Sequence, residues 1–203
     1  THEYGHGISN RLTGGPNNSS CLNNEEQMGE GWSDWFALML QLKATDIGTT
    51  AKGIGTFAIG EPITGGGIRP FPYSTNTTVN PVTFDDTNTL SVPHGVGSVW
   101  ATMLWDLTWA YINKYGYSSN ILTGNGGNNK VMRLVLDAMK IQPCNPSFVE
   151  ARNAIIAADQ ATTGGADYCM IWSVFAARGL GVNASSGLND SASDQTEDFT
   201  TPV

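Results

Sequence analysis

The sequence predicts a mainly α-helical fold, interrupted by a long irregular or short-strand insertion at about residues 44–93. Three observations carry that expectation. Several segments repeat apolar residues with the 3.6-residue period of an amphipathic helix. That period vanishes between Ala44 and Pro93, where glycines and prolines crowd the stretch from Gly48 to Pro72. The 203 residues, 40% of them hydrophobic, are enough for one substantial domain with its own core.

Residues 2–10 read as a helix, followed by a Gly/Pro/Asn/Ser loop from Asn10 to Asn24. Asn24 and Gln27 are placed to cap a second helix reaching about Lys43, with Met28, Trp32, Trp35, Phe36, Met39 and Leu42 on its apolar face. Within the irregular stretch, Gly55 to Ile59 is a candidate strand. So long an insertion in a compact domain is usually functional. Val96, Val99, Trp100, Met103, Leu104, Leu107 and Tyr111 then mark a third helix, which Trp105 and Trp109 suggest is buried on more than one side. Further helices are expected at about 128–141, at about 146–161 with Pro146 in its tolerated first turn, and at about 166–178, where Gly179 is suited to a C-cap. Residues 183–203 are Ser, Asp, Asn and Thr with little to bury, and are expected to form a disordered polar tail or linker.

Charged residues are only 14% of the chain and the formal net charge is −8. No basic face is available for phosphates, which argues against nucleic acid as a partner. No apolar run approaches the roughly 20 residues that span a bilayer, so no membrane partner is expected. The chain lacks an initiating Met and a signal peptide and reaches its first motif at His2, so it is expected to be an internal piece of a longer precursor. Cys21, Cys144 and Cys169 leave at least one thiol unpaired within the chain. A Cys144–Cys169 bond would require their helices to depart from a simple antiparallel hairpin, and the pairing stays open.

The motif is His2-Glu3-Tyr4-Gly5-His6, an H-E-x-x-H sequence. Residues four apart share a helix face, so His2 and His6 can reach one ion while Glu3 projects beside them. Zinc accepts imidazole nitrogen and carboxylate oxygen, and a catalytic site keeps one position for water. Glu30 is the candidate third ligand. Its neighbouring glycines would let the backbone approach the metal, and Asp34, one turn on, could accept the free ring N–H of a liganding histidine. Taken alone, H-E-x-x-H could be a solvated turn with two ordinary histidines. Glu30 and Asp34 could equally be surface charges, but Met28, Trp32, Trp35 and Phe36 make that a poor surface.

Residues His2 to Gly15 and Met28 to Asp34 resemble the fungalysin family of secreted metallopeptidases, within the broader thermolysin-like group. Gly67 to Asn76, His94 to Ala101, Gln142 to Pro146 and Arg178 to Val182 extend the resemblance over residues 1–182. It implies that this segment is the helical C-terminal lobe of a thermolysin-like catalytic domain, with 183–203 as the tail. It also implies a secreted zinc endopeptidase acting on proteins or peptides and partnered by an N-terminal lobe of the same precursor. His2, His6 and Glu30 correspond to the ligands of one catalytic zinc, and Glu3 to the general base. His94 resembles the histidine that donates to the oxyanion, and Arg69 the arginine that holds a substrate carbonyl. Thermolysin-like sites also use a tyrosine in the loop after the zinc helix, and no Tyr occurs here between Tyr4 and Tyr73.

Two other readings compete. The chain could be a helical lobe that keeps the zinc ligands but has little activity without its N-terminal lobe. It could also be a binding module with degenerate catalytic residues, against which the intact set of His2, Glu3, His6, Glu30 and Asp34 speaks. Asp85 and Asp86 are a candidate calcium pair, although such pairs are more often turn residues; calcium has no stronger support.

Overall fold

The computed structural model describes residues 1–203, and they form six α-helices with almost no β-structure. In order these are α1 (His2–Leu12), α2 (Gly29–Met39), α3 (His94–Tyr115), α4 (Gly127–Ile141), α5 (Phe148–Thr163) and α6 (Tyr168–Ala177). No helix is long and apolar enough to cross a membrane.

α3 is the central element. Its 22 residues are buried around most of the circumference, as a helix packed on several sides must be. α2 packs between α1 and α3, α4 and α6 lie against other faces of α3, and α5 covers α4. Aromatic rings fill the middle. Trp32 of α2 meets Trp100 of α3 edge-on at 5.7 Å between centroids, and Trp100 also packs on Phe148 of α5 and Phe175 of α6. These large apolar surfaces, removed from water, supply the main drive for assembly.

Two close approaches set the spacing of the first three helices. A Cβ on Gly5 of α1 would lie 2.8 Å from the Ser33 Cα, and one on Gly31 of α2 would lie 2.2 Å from the Gly97 carbonyl oxygen of α3. The sequence suggested that the glycine after Glu30 serves the metal. Its closest constraint is instead the backbone of α3.

Several expected boundaries shift. The second helix begins at Gly29, not near Asn24: the Asn24 amide nitrogen is tied to Pro146 O and Asn189 O, and its Oδ1, the atom that would cap, accepts from no N–H. The candidate strand at Gly55–Ile59 is a 3-10 turn over Thr56–Ile59, since Gly55 and Gly60 both adopt left-handed φ of 72° and break an extended run. α5 starts after Pro146, with Ser147 as N-cap and Glu150 completing a capping box. Gly179, at φ 81°, follows α6 as expected for a C-terminal glycine.

The segment after residue 182 is not the disordered tail its composition suggests. Its backbone returns along the domain through bridges Leu180↔Asp198 and Ser185↔Thr196. Ser186 and Gln195 are buried, and the Gln195 amide donates to Ser186 O and Ser191 O. Polar side chains satisfy this strap where few apolar ones are available. Cys21 pairs with Cys144, whose Cα atoms are 4.4 Å apart, and Cys169 is free and exposed. Asp85 and Asp86 lie in a 3-10 turn over Phe84–Asn88, where Asp86 accepts from the Thr83 N–H and Asp85 from the Asn88 amide.

Candidate metal centre and active-site cleft

α1 presents His2 and His6 on one face, four residues apart, with ring centroids 5.0 Å from each other. The neighbouring helix supplies Glu30, the one residue of α2 that is not fully buried. His94 opens α3 from the other side. The Nε2 atoms of His2, His6 and His94 lie 3.2, 3.5 and 3.4 Å from the Glu30 carboxylate oxygens. One donor atom from each of His2, His6 and Glu30 can be chosen so that all lie within 4.8 Å of one another.

That arrangement fits a small cation. Ligands about 2.0–2.2 Å from a tetrahedral zinc sit roughly 3.3–3.6 Å apart, close to the separations from Glu30 to His2 and His6. Two imidazoles and one carboxylate are also the donor chemistry that zinc accepts while leaving a fourth position open.

Behind His2 and Glu30 lies a buried carboxylate. Asp34 has no exposed side-chain surface, and its Oδ1 is 2.7 Å from His2 Nδ1. The contact is close but poorly aligned, for Nδ1 has no well-directed hydrogen bond. Arg69 donates from Nε to Asp34 Oδ2 at 2.6 Å and from Nη2 to both Asp34 Oδ1 and Glu30 Oε2, at 3.0 and 2.9 Å. Tyr73 donates its hydroxyl to Asp34 Oδ2 at 2.5 Å. Burial opposes the ionisation of Asp34, but the close His2 ring and the hydrogen bonds from Arg69 outweigh it and hold the carboxyl below its usual range. In return, Asp34 raises the His2 imidazole above its ordinary value against the effect of burial. Burial also pushes the Tyr73 phenol well up, so it stays a donor.

Six of the sequence-derived site residues, His2, His6, Glu30, Asp34, Arg69 and His94, thus form one connected cluster. Glu3 stands apart from this network, exposed at the mouth of a cleft of about 670 Å³ that His2, His6, Glu30, Arg69 and His94 also line. Arg69 is more deeply held than a substrate-binding arginine in a loop was expected to be. Two of its nitrogens serve Asp34 and Glu30, and Nη1 makes no hydrogen bond within the chain. Tyr73 was not singled out from sequence. Residues 68–71 form bends, so no strand period in the sequence pointed to Tyr73.

The fold and this donor set define a helical lobe organised around an H-E-x-x-H helix and a distal glutamate. The model of the fungalysin metallopeptidase (M36) family matches residues 1–184, and the chain belongs to that family. It is 50% identical over 192 residues to "Extracellular metalloproteinase MEP" of Pyricularia oryzae, covering 90% of this chain and 30% of that protein. It is 48% identical over 196 residues to "Extracellular metalloproteinase 2" of Arthroderma gypseum, with 93% and 30% covered. "Extracellular metalloproteinase 10" of Coccidioides posadasii is 47% identical over 199 residues, with 93% and 31% covered. The chain therefore spans about a third of the length of these curated relatives.

Proposed function

We propose that this protein is a secreted, zinc-dependent endopeptidase that hydrolyses peptide bonds in protein substrates. The observation that carries the reading is the convergence of His2, His6 and Glu30 donor atoms beside an exposed Glu3 in one cleft. Residues 1–182 are the helical lobe of its catalytic domain, with 183–203 strapped back onto it. The names of the relatives, which describe extracellular metalloproteinases, support secretion. So does the Cys21–Cys144 bond, which an oxidising compartment preserves.

His2, His6 and Glu30 would hold zinc, whose Lewis acidity would lower the pKa of water far enough for hydroxide to be available near neutral pH. Glu3 takes the proton of the attacking water on its carboxylate and passes it to the leaving amine. Such positioned acid–base help is typically worth about 10²–10⁴ in rate. His94 donates from its ring to the oxygen that becomes anionic as the carbonyl is attacked. Arg69, neutralising the buried Asp34 with Nε and Nη2, keeps Nη1 for a substrate carbonyl. Asp34 orients the His2 ring.

The test is Glu3→Gln. The variant keeps one zinc per chain by metal analysis and loses casein hydrolysis by about 10² or more; full activity in it refutes the mechanism. A chelator abolishes hydrolysis by the unaltered protein, and added zinc restores it.

A second reading has a specific observation in its favour. His94 is 60% exposed at its side chain and Phe57, on the cleft wall, is 95% exposed, so the cleft is open on one side. On this reading the lobe keeps its ligands but needs an N-terminal lobe of the same precursor to bind and turn over substrate. Assays of this chain alone and joined to the preceding region separate the two; equal activity eliminates the second reading.

A further inference from the structure

Asp34 is an unusual acceptor. With no exposed side-chain surface, its two oxygens meet four donor atoms, His2 Nδ1, Arg69 Nε, Arg69 Nη2 and the Tyr73 hydroxyl. These donors differ in how firmly they are held. His2 belongs to the face of α1 that borders the cleft. Arg69 divides its guanidinium between Asp34 and Glu30. Tyr73 is fixed at both ends: its N–H donates to Lys52 O and its carbonyl accepts from Lys52 N–H, both at 2.9 Å, and its hydroxyl serves Asp34 alone. Its ring is 1% exposed.

A carboxylate on a helix can turn about its last side-chain torsion, a broad and nearly two-fold well. If Asp34 turns, Oδ1 leaves His2 Nδ1, and nothing then sets the plane of the ring or which nitrogen faces Glu30. Arg69 holds both oxygens, Nε on Oδ2 and Nη2 on Oδ1, but shares Nη2 with Glu30 at the cleft. Tyr73 holds Oδ2 from a backbone anchored independently of that pair.

We propose that Tyr73 is a positioning residue for the metal ligand His2, acting through Asp34: its hydroxyl locks the carboxylate so that Oδ1 faces His2 Nδ1. This rests on the zinc reading above. The bland alternative is that Tyr73 only fills space beside α2, a task phenylalanine would perform equally well.

Tyr73→Phe separates the two. Zinc affinity is measured by competition with a chromophoric chelator, and the visible absorption of the cobalt-substituted protein reports ligand geometry directly. The expected result is zinc binding weakened about tenfold or more, with a displaced cobalt band. Adding Tyr73→Phe to Asp34→Ala produces no further loss, because the path runs through Asp34. An unchanged zinc affinity and cobalt spectrum in Tyr73→Phe overturns the proposal whatever happens to the melting temperature. Full additivity with Asp34→Ala overturns it as well. If Tyr73→Phe does not fold, 3-fluorotyrosine at position 73 retains the ring and strengthens the donor, and an unmoved cobalt band there has the same force. His6→Ala belongs in the series, since zinc affinity unaltered by that change defeats the ligand assignment itself and not the role of Tyr73.

Discussion

Glu26 shows what a single side chain can impose on the whole chain. It is fully buried, and its Oε1 accepts from the Phe148 N–H at the start of α5 and from the Ser186 hydroxyl of the C-terminal strap. Its Oε2 is buried without a partner. Burial, only partly offset by those two hydrogen bonds, pushes its pKa from 4.5 up to about 8, with Asp194 and Glu150 adding to the shift. The folded protein therefore holds a proton that the unfolded chain releases. The associated stability is present below about pH 4.5 and is lost as the pH rises towards about 8. Glu26→Gln keeps an acceptor oxygen for Phe148 and Ser186 and adds a neutral donor in place of Oε2. At pH 9 it raises the melting temperature by roughly 2–4 °C for each kcal/mol gained, and the advantage shrinks towards pH 5. A constant difference across that range disproves the assignment. Sequence could not single out this residue. Glu25 and Glu26 are adjacent and alike, and only the partners brought in from residues 148 and 186 distinguish them. His2, Glu3 and His6 were legible because the chemistry lies within one helical turn. Glu30 and Asp34 were legible because charges between tryptophans need a reason to be there.

Helices were read correctly in kind because a buried stripe leaves a local period, clearest in α4, where Val131, Leu134, Val135, Ala138 and Met139 are buried. Their ends were less legible, since capping depends on what else competes for a polar side chain. The Asn24 amide nitrogen is fixed by Pro146 and Asn189 so that its Oδ1 meets no N–H, and α2 starts five residues later. The distances between helices were invisible, although they decide whether His2, Glu30 and His94 can share a site. Gly31 and Gly97 lie where α2 and α3 touch backbone to backbone. Gly31→Ala puts a methyl 2.2 Å from the Gly97 carbonyl, so the helices must separate. The expected cost is about 1–3 kcal/mol, seen as a lower melting temperature and accompanied by weaker zinc binding. Gly7→Ala is the matched control. It lies exposed on α1 with nothing within 4 Å of the added Cβ, and should be neutral or stabilise the helix by about 0.5–1 kcal/mol. If the two substitutions behave alike, close packing is not what Gly31 provides.

At the scale of the molecule, the two halves of the proposed ligand set belong to different helices joined by residues 13–28, a loop with little apolar surface of its own. What holds this loop comes from far along the chain. Cys21 is bonded to Cys144 across a separation of 123 residues. Gln142 donates to Thr13, Asn145 accepts from the Asn23 N–H, and the α5 N-terminus binds Glu26. The junction between α4 and α5 is thus the fixed platform on which the loop of residues 13–28, between His6 and Glu30, rests. A cross-link closing a loop of about 100 residues restricts the unfolded chain by up to about 4.7 kcal/mol in the chain-entropy model, and losing a native disulfide typically costs about 2–5 kcal/mol. Cys144→Ser should therefore destabilise the protein by that order in denaturant unfolding. Because the same loop carries the ligand helices, it should also weaken zinc binding below the unfolding transition. Cys169→Ser removes an exposed free thiol and should alter neither property. A Cys144→Ser protein that is less stable but binds zinc as tightly as the parent would show that the remaining hydrogen bonds suffice to hold the loop. The disulfide would then stabilise the lobe without helping to position its metal site.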